Sequence, residues 1–259
     1  MIEIRDLTKI YQLSKRQQAK LKVSSSTKIA VNHLSLTAHE GEIFGLLGTN
    51  GAGKTTTLRC LATLLHPTEG QVLIDGLDTV KDSAAVRSKI GFLTNEIKLD
   101  PQFTPLYLMH FFGSLHGMDD EQISQRTKLL FSQFGITEFQ DKKIDELSSG
   151  MKQKASIAVS LIHDPDVIIF DEPTTGLDII TARTVTDYLL QMKKEGKLVI
   201  ISTHIMSEAE KLCDRVAIII DGKLAAQGTV SELLAQEQAD DLEDAFFRLY
   251  LAHEKEVQA

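Results

Sequence analysis

Apolar and polar residues alternate over residues 2–8, with Ile2, Ile4 and Leu7 set against Glu3, Arg5 and Thr8. This is the period of a half-buried strand, and residues 31–38 repeat it before His39-Glu40-Gly41-Glu42 makes a turn. A different pattern follows. Ile43-Phe44-Gly45-Leu46-Leu47, residues 166–170 and residues 198–201 are nearly unbroken apolar runs, the form of parallel strands covered on both faces. Helical patterns separate them, at about 83–88, 181–195 and 207–213. Further strands fall at 71–76, ending in an Asp75-Gly76 turn, at 89–93, and at 215–220 before an Asp221-Gly222 hairpin. This alternation predicts an α/β fold with a mainly parallel core.

Between about residues 96 and 165 the apolar residues take up helical spacing, as in Leu106, Met109, His110, Phe112 and Gly113, and again in Ile123, Leu130, Phe131 and Phe134. A helical insert is expected there. Phe103, Tyr107, Phe111 and Phe112 concentrate aromatics in it; the simpler reading makes most of them insert core, the other makes one face a groove for a partner helix. Residues 14–28 are polar, with several cations and no acid, and read as a mobile loop or hairpin tip. Their lysines are either solvated or directed at anionic headgroups or a partner's acidic loop. In the tail from 231 to 259, Leu242, Phe246, Leu249 and Tyr250 share one helical face and are expected to pack on the body.

Composition changes this picture little. With 259 residues, 42% hydrophobic and 25% charged, the chain matches a soluble globular protein able to bury a sizeable core. A net charge of −8 disfavours a general nucleic-acid binder. Cys60 and Cys213 have no metal-ligand or disulfide spacing, which suits a reducing compartment. The first residues lack a signal-peptide pattern, and runs such as residues 216–220 are far short of the roughly 20 needed to span a bilayer. Service to a membrane would therefore come from the cytosolic side, through a partner.

The chemistry centres on Gly48-Thr49-Asn50-Gly51-Ala52-Gly53-Lys54-Thr55, a full G-x-x-x-x-G-K-[S/T] phosphate loop between a predicted strand and a predicted helix. Its glycines let successive backbone N–H groups converge, and the helix N-terminus adds its positive dipole end. Lys54 is placed to reach the β- and γ-phosphates, and the Thr55 hydroxyl to hold Mg²⁺ on the nucleotide. Asp171 ends a buried strand at the sheet edge where such sites lie, an expected Mg²⁺ ligand. Glu172 follows it, an acid suited to orient and deprotonate the attacking water.

These pieces resemble the ATP-binding cassette, the motor subunit of ABC transporters. The resemblance runs from about residue 2 to 230 and rests on residues 48–56, Leu147-Ser148-Ser149-Gly150-Met151-Lys152-Gln153, residues 167–173, Thr175-Gly176-Leu177-Asp178 and Ser202-Thr203-His204. It implies a P-loop NTPase with a RecA-like core, an N-terminal antiparallel β subdomain and a helical subdomain. It implies ATP and Mg²⁺ as cofactors, with Tyr11 stacking on adenine and Gly48, Asn50, Gly51, Ala52, Gly53, Lys54, Thr55 and Thr56 around the phosphates. Glu172, His204 and Lys54 become the expected catalytic set, and Thr55, Asp171 and Asn95 the expected metal set. Asn95 stands where many cassettes carry glutamine, so either Asn95 or Glu96 does that job.

Ser148 and Gly150 match a signature that contacts the γ-phosphate on an opposite subunit, with Ser149 where glycine is usual; Asp178 matches a residue that crosses between subunits. The implied assembly is two cassettes closed head to tail over two ATP, a homodimer or a paired cassette, beside a polytopic membrane permease. Gly150-Met151-Lys152-Gln153 and residues 204–210 look like exporters of drugs or sodium, and Gly91-Phe92-Leu93-Thr94 with Thr104-Pro105 look closest to the sodium-extruding members. The rivals are a soluble ABC ATPase of repair or translation, a P-loop small-molecule kinase, and a cassette that binds ATP without turnover. The kinase leaves residues 147–153 unexplained, and the presence of Lys54, Glu172 and His204 favours an active enzyme.

Overall fold

The structure is a computed structural model that describes residues 1–21, 24–94 and 99–258. In chain order, β1 (Ile2–Gln12), α1 (Lys15–Leu21) and β2 (Thr27–Ala38) form a hairpin with a helical tip. There follow β3 (Ile43–Leu47), α2 (Lys54–Leu61), β4 (Glu69–Ile74), β5 (Leu77–Asp78), α3 (Ser83–Lys89) and β6 (Ile90–Thr94). Next come α4 (Pro105–Leu115), α5 (Asp120–Phe134), two 3₁₀ turns and α6 (Ser149–Ser160). The chain then alternates through β7 (Val167–Asp171), α7 (Ile179–Lys194), β8 (Leu198–Thr203), α8 (Met206–Leu212) and β9 (Arg215–Ile220), and ends with β10 (Lys223–Thr229), α9 (Val230–Glu237) and α10 (Leu242–Gln258). Among the described residues no helix is long and apolar enough to cross a membrane.

Two sheets result. The larger has the order β10-β9-β3-β8-β7-β6, parallel throughout except for β10 at one edge. The smaller, β2-β1-β4-β5, is antiparallel. Because side chains alternate across a strand, each apolar run of the parallel sheet feeds two cores. Phe44, Leu46, Val167, Ile169, Leu198 and Ile200 pack towards the antiparallel sheet and α2. Ile43, Leu47, Ile168, Phe170, Val199 and Ile201 pack towards the helices on the other face. That double burial explains why β3, β7 and β8 read as continuous apolar runs.

In β1 the alternation survives only with a correction. Asp6 adopts a positive φ of 53° and the register against β2 shifts between Ile4 and Leu7. The extra residue of this irregularity turns Leu7 inward beside Ile2 and Ile4 although it lies three positions further on.

Three sequence expectations change. Residues 14–28 are not a bare loop: Lys15–Leu21 is helical, and Thr27 and Lys28 already pair in β2. Lys, Arg, Gln, Ala and Leu are strong helix formers, and the lack of apolar periodicity conceals the helix. In α4 the buried face is Leu108, Met109 and Gly113, while Leu106 is exposed with His110. That helix carries apolar residues on nearly every side, so spacing alone does not select the inward face. Of the four aromatics, Phe112 packs against the helix-side core and the other three are not core. Phe103, Tyr107 and Phe111 are exposed and stack in file, with centroids 4.4 and 6.3 Å apart.

The tail packs as expected: Leu242 and Phe246 of α10 are buried in the helix-side core, with Leu249 and Tyr250 against its margin. Cys60 and Cys213 are buried free thiols, each pushed upward in pKa by burial.

Candidate functional site

The phosphate loop joins β3, buried along its whole length, to α2. Two of its glycines are required by space as well as by φ. A Cβ at Gly53, whose φ is 110°, would lie 2.5 Å from the Ala30 carbonyl oxygen, and one at Gly48 would lie 2.4 Å from that of Ile219. The loop is therefore clamped between β2 and the end of β9, and no larger residue fits at either position. Gly53 caps α2 without a side-chain bond, so the first-turn amides of α2 open toward the cleft. Lys54 is 5% exposed, and its ammonium donates to the carbonyls of Gly48 (2.7 Å) and Thr49 (3.0 Å). Burial lowers its pKa, opposed by the nearby charges of Glu172 and then Asp171. A buried cation beside converging N–H groups is a receptor for phosphate oxygens.

Lys54, Thr55, Thr56, Asn50, Gly51, Gly53 and Glu172 line one cleft together with Tyr11. The Tyr11 hydroxyl lies 3.5 Å from Thr56 Oγ1, and the Lys9 ammonium sits 5.6 Å from its ring centroid. Ala52 is buried under the loop. Sequence reasoning missed two residues of this cleft, Lys28 and Ala30. The strand register places Lys28 directly opposite Tyr11, a relation carried by pairing between distant segments. A strand start at Thr27 would have pointed to it.

Parallel pairing delivers the acids. Asp171 ends β7 in register with Ser202 of β8 and Thr94 of β6, and is 8% exposed. Ser202, wholly buried, donates its hydroxyl to Asp171 Oδ1. Beyond the strand, Glu172 takes a positive φ of 53°, unusual for a residue with a side chain, and its N–H donates to the Ser202 carbonyl at 3.1 Å. That turn brings Glu172 Oε1 within 2.8 Å of His204 Nδ1, which follows β8. A carboxylate held by an imidazole at the edge of a phosphate cleft is equipped to take a proton from water.

The remaining candidates gather elsewhere. Ser148 caps α6, accepting from the Met151 N–H at 3.3 Å, and is exposed. Asp178 caps α7, accepting from the N–H groups of Ile180 and Thr181 at 3.0 Å and from the Thr181 hydroxyl at 2.7 Å. The backbone and side-chain bonds from Thr181 hold the Asp178 carboxyl below its ordinary pKa. Gly150 lies beside Asp178: a Cβ there would be 3.6 Å from Asp178 Oδ2 and 3.7 Å from Thr181 Oγ1, ordinary contact distances. Among the described residues, Ser148, Gly150 and Asp178 line neither cleft that borders the phosphate loop. Asn95, with its alternative Glu96, lies outside the described residues.

A family model described as ABC transporter matches residues 31–175, more than half of the chain. The chain belongs to the ABC transporter family. This cassette is 42% identical to the ABC transporter ATP-binding protein NatA of Bacillus subtilis over 234 residues, 90% of the cassette and 94% of NatA. It is 39% identical to the Nod factor export ATP-binding protein I of Burkholderia lata over 83% of the cassette and 71% of that protein. A solved dimeric ATP-binding cassette, in a post-hydrolysis state bound to ADP and Pi, superposes with a TM-score of 0.77 at 26% identity, over 88% of this cassette and 98% of that chain. The P-loop NTPase fold and the cassette's standing as the ATPase subunit of a transporter follow.

Proposed function

We propose that this cassette hydrolyses ATP as one half of a head-to-tail dimer and drives export through a separate polytopic membrane subunit, bound at the cytoplasmic face of the cell membrane. ATP phosphates rest on the phosphate-loop amides and Lys54, with the base against Tyr11. Glu172, steadied by His204, orients the attacking water and takes its proton. Among the described residues no cluster of three or more His, Cys, Asp or Glu side chains could hold a metal. One buried carboxylate and one hydroxyl, Asp171 and Thr55, are instead the donor set of a cation that arrives on a nucleotide, as Mg²⁺ does. Bound there, Mg²⁺ would neutralise charge developing on the phosphates.

The observation that carries the dimer is the division of the site. Gly150 has neither a positive φ nor a close intrachain neighbour to exclude a side chain. Its smallness serves something that approaches from outside, and in this reading that is ATP held by the other cassette. The relative named for Nod factor export supports the export direction. Sodium or a drug is the proposed cargo, on the exporter resemblance at residues 150–153 and 204–210, with residues 91–94 and 104–105 pointing to sodium. Glu172→Gln tests the whole reading. ATP binding should persist, turnover should fall about 10²–10⁴-fold, and an ATP-dependent dimer should accumulate in sedimentation; a variant that hydrolyses like the parent would overturn it.

A further inference from the structure

Two apolar features among the described residues face solvent in the single chain. Ile179 and Ile180, the first residues of α7, are 89% and 77% exposed, a knob immediately after Asp178. The other is a hollow that borders the phosphate loop and shares Asn50 with the cleft of Tyr11. Gly48, Thr49 and Asn50 form one wall, residues 204–207 a second, and Glu243, Phe246 and Phe247 of α10 a third. Ile205 is 38% and Phe247 54% exposed, and the Phe246 and Phe247 rings meet edge to face at 6.2 Å.

We propose that Ile179 and Ile180 of each copy seat in the α10 hollow of a second copy, so that the C-terminal helix forms part of the dimer interface. The proposal rests on the head-to-tail dimer above. Its argument is continuity. Gly150 and Asp178 are neighbours, so a second copy that lays Ser148 and Gly150 over the phosphate loop also brings its Ile179–Ile180 knob to the edge of that loop. One edge is the polar cleft of Lys28, Lys54 and Glu172. The other is the hollow, where exposed Ile205 and Phe247 stand beside Met206 and Phe246, an edge more apolar than the first. An apolar knob desolvates at little cost against the second edge and at a large one against the first. Two-fold symmetry makes the contact twice per dimer, residue i of one copy on j of the other and the reverse. ATP then closes the dimer while α10 supplies an apolar part of its affinity that salt does not screen.

A double-mutant cycle in the Glu172→Gln background tests this, with ATP-dependent dimerisation read by sedimentation for Ile180→Ser, Phe247→Ser and the pair. Both side chains are exposed in the single chain, so the variants should melt like the parent. Each single change should weaken the dimer about tenfold or more, and the double variant should lose clearly less than the product, since the two share one contact. Independent, multiplying effects, or parental dimerisation in either single variant, would overturn the proposal while leaving the head-to-tail reading intact. Failure of Glu172→Gln itself to dimerise with ATP would overturn that reading and the knob with it.

Discussion

The sheet edge and the start of α7 are built in opposite ways. At the sheet edge Lys54 and Asp171 are buried, each held by neighbours, and Glu172 is fixed by its turn and by His204. Around α6 and α7, Ser148, Asp178, Ile179 and Ile180 stand in solvent, with Ser148 and Asp178 capping their own helices. Burial and cross-strand bonds preorganise the first region before any ligand arrives. The second is shaped for a surface that a single chain does not supply. The difference marks which half of the chemistry resides in one copy.

The sharpest way to break the comparison is Lys54→Ala. Losing a charge-assisted bond of roughly 1.5–3 kcal/mol should weaken ATP binding about ten- to hundredfold, measured by equilibrium dialysis on the single chain. Unchanged affinity would remove the sheet edge as the phosphate site. Gly150→Val should do the reverse, leaving single-chain ATP affinity and melting temperature close to parental while abolishing the ATP-dependent dimer. A variant that lost nucleotide affinity as a monomer would show that the two regions are not separate.

An effect confined to acid pH lies at the seam between sheet and helices. His163 follows α6, donates from Nε2 to the Ile90 carbonyl at 3.0 Å, and stacks on His116 at 3.7 Å. Burial, and then His116, push its pKa down to about 4. The folded state therefore binds fewer protons than the unfolded state between pH 6.5 and 4. Its stability contribution is intact above pH 6.5 and is lost as pH falls through that window. His163→Gln should flatten the stability profile there, by up to about 3 kcal/mol, in urea unfolding at stepped pH. An unchanged slope would place the imidazole in solvent.

What could be read in advance divides along the same line. The phosphate loop, the apolar runs of β3, β7 and β8, and the acids at 171 and 172 are local patterns, so residue order displays them. Family resemblance put Glu172 and His204 in one catalytic set, but their direct contact was not expected, because it depends on parallel pairing across β7 and β8. Lys28 stayed hidden because its place depends on register against β1, and the hollow under Phe247 because α10 returns from the far end of the chain. α4 and its aromatic file misled for another reason: apolar residues on nearly every side carry no directional signal.

The central claim is that one copy lends the phosphate loop and another the signature. Mixing Lys54→Ala with Gly150→Val, each inactive alone, measures it directly. The heterodimer is the pairing that holds an intact site, with the phosphate loop from the Gly150→Val chain and Gly150 from the Lys54→Ala chain. ATP turnover should recover, to at most about half of the parental rate per chain if the two sites act independently. A mixture no faster than its two components would contradict the account, because it would mean that both regions must be intact on the same chain.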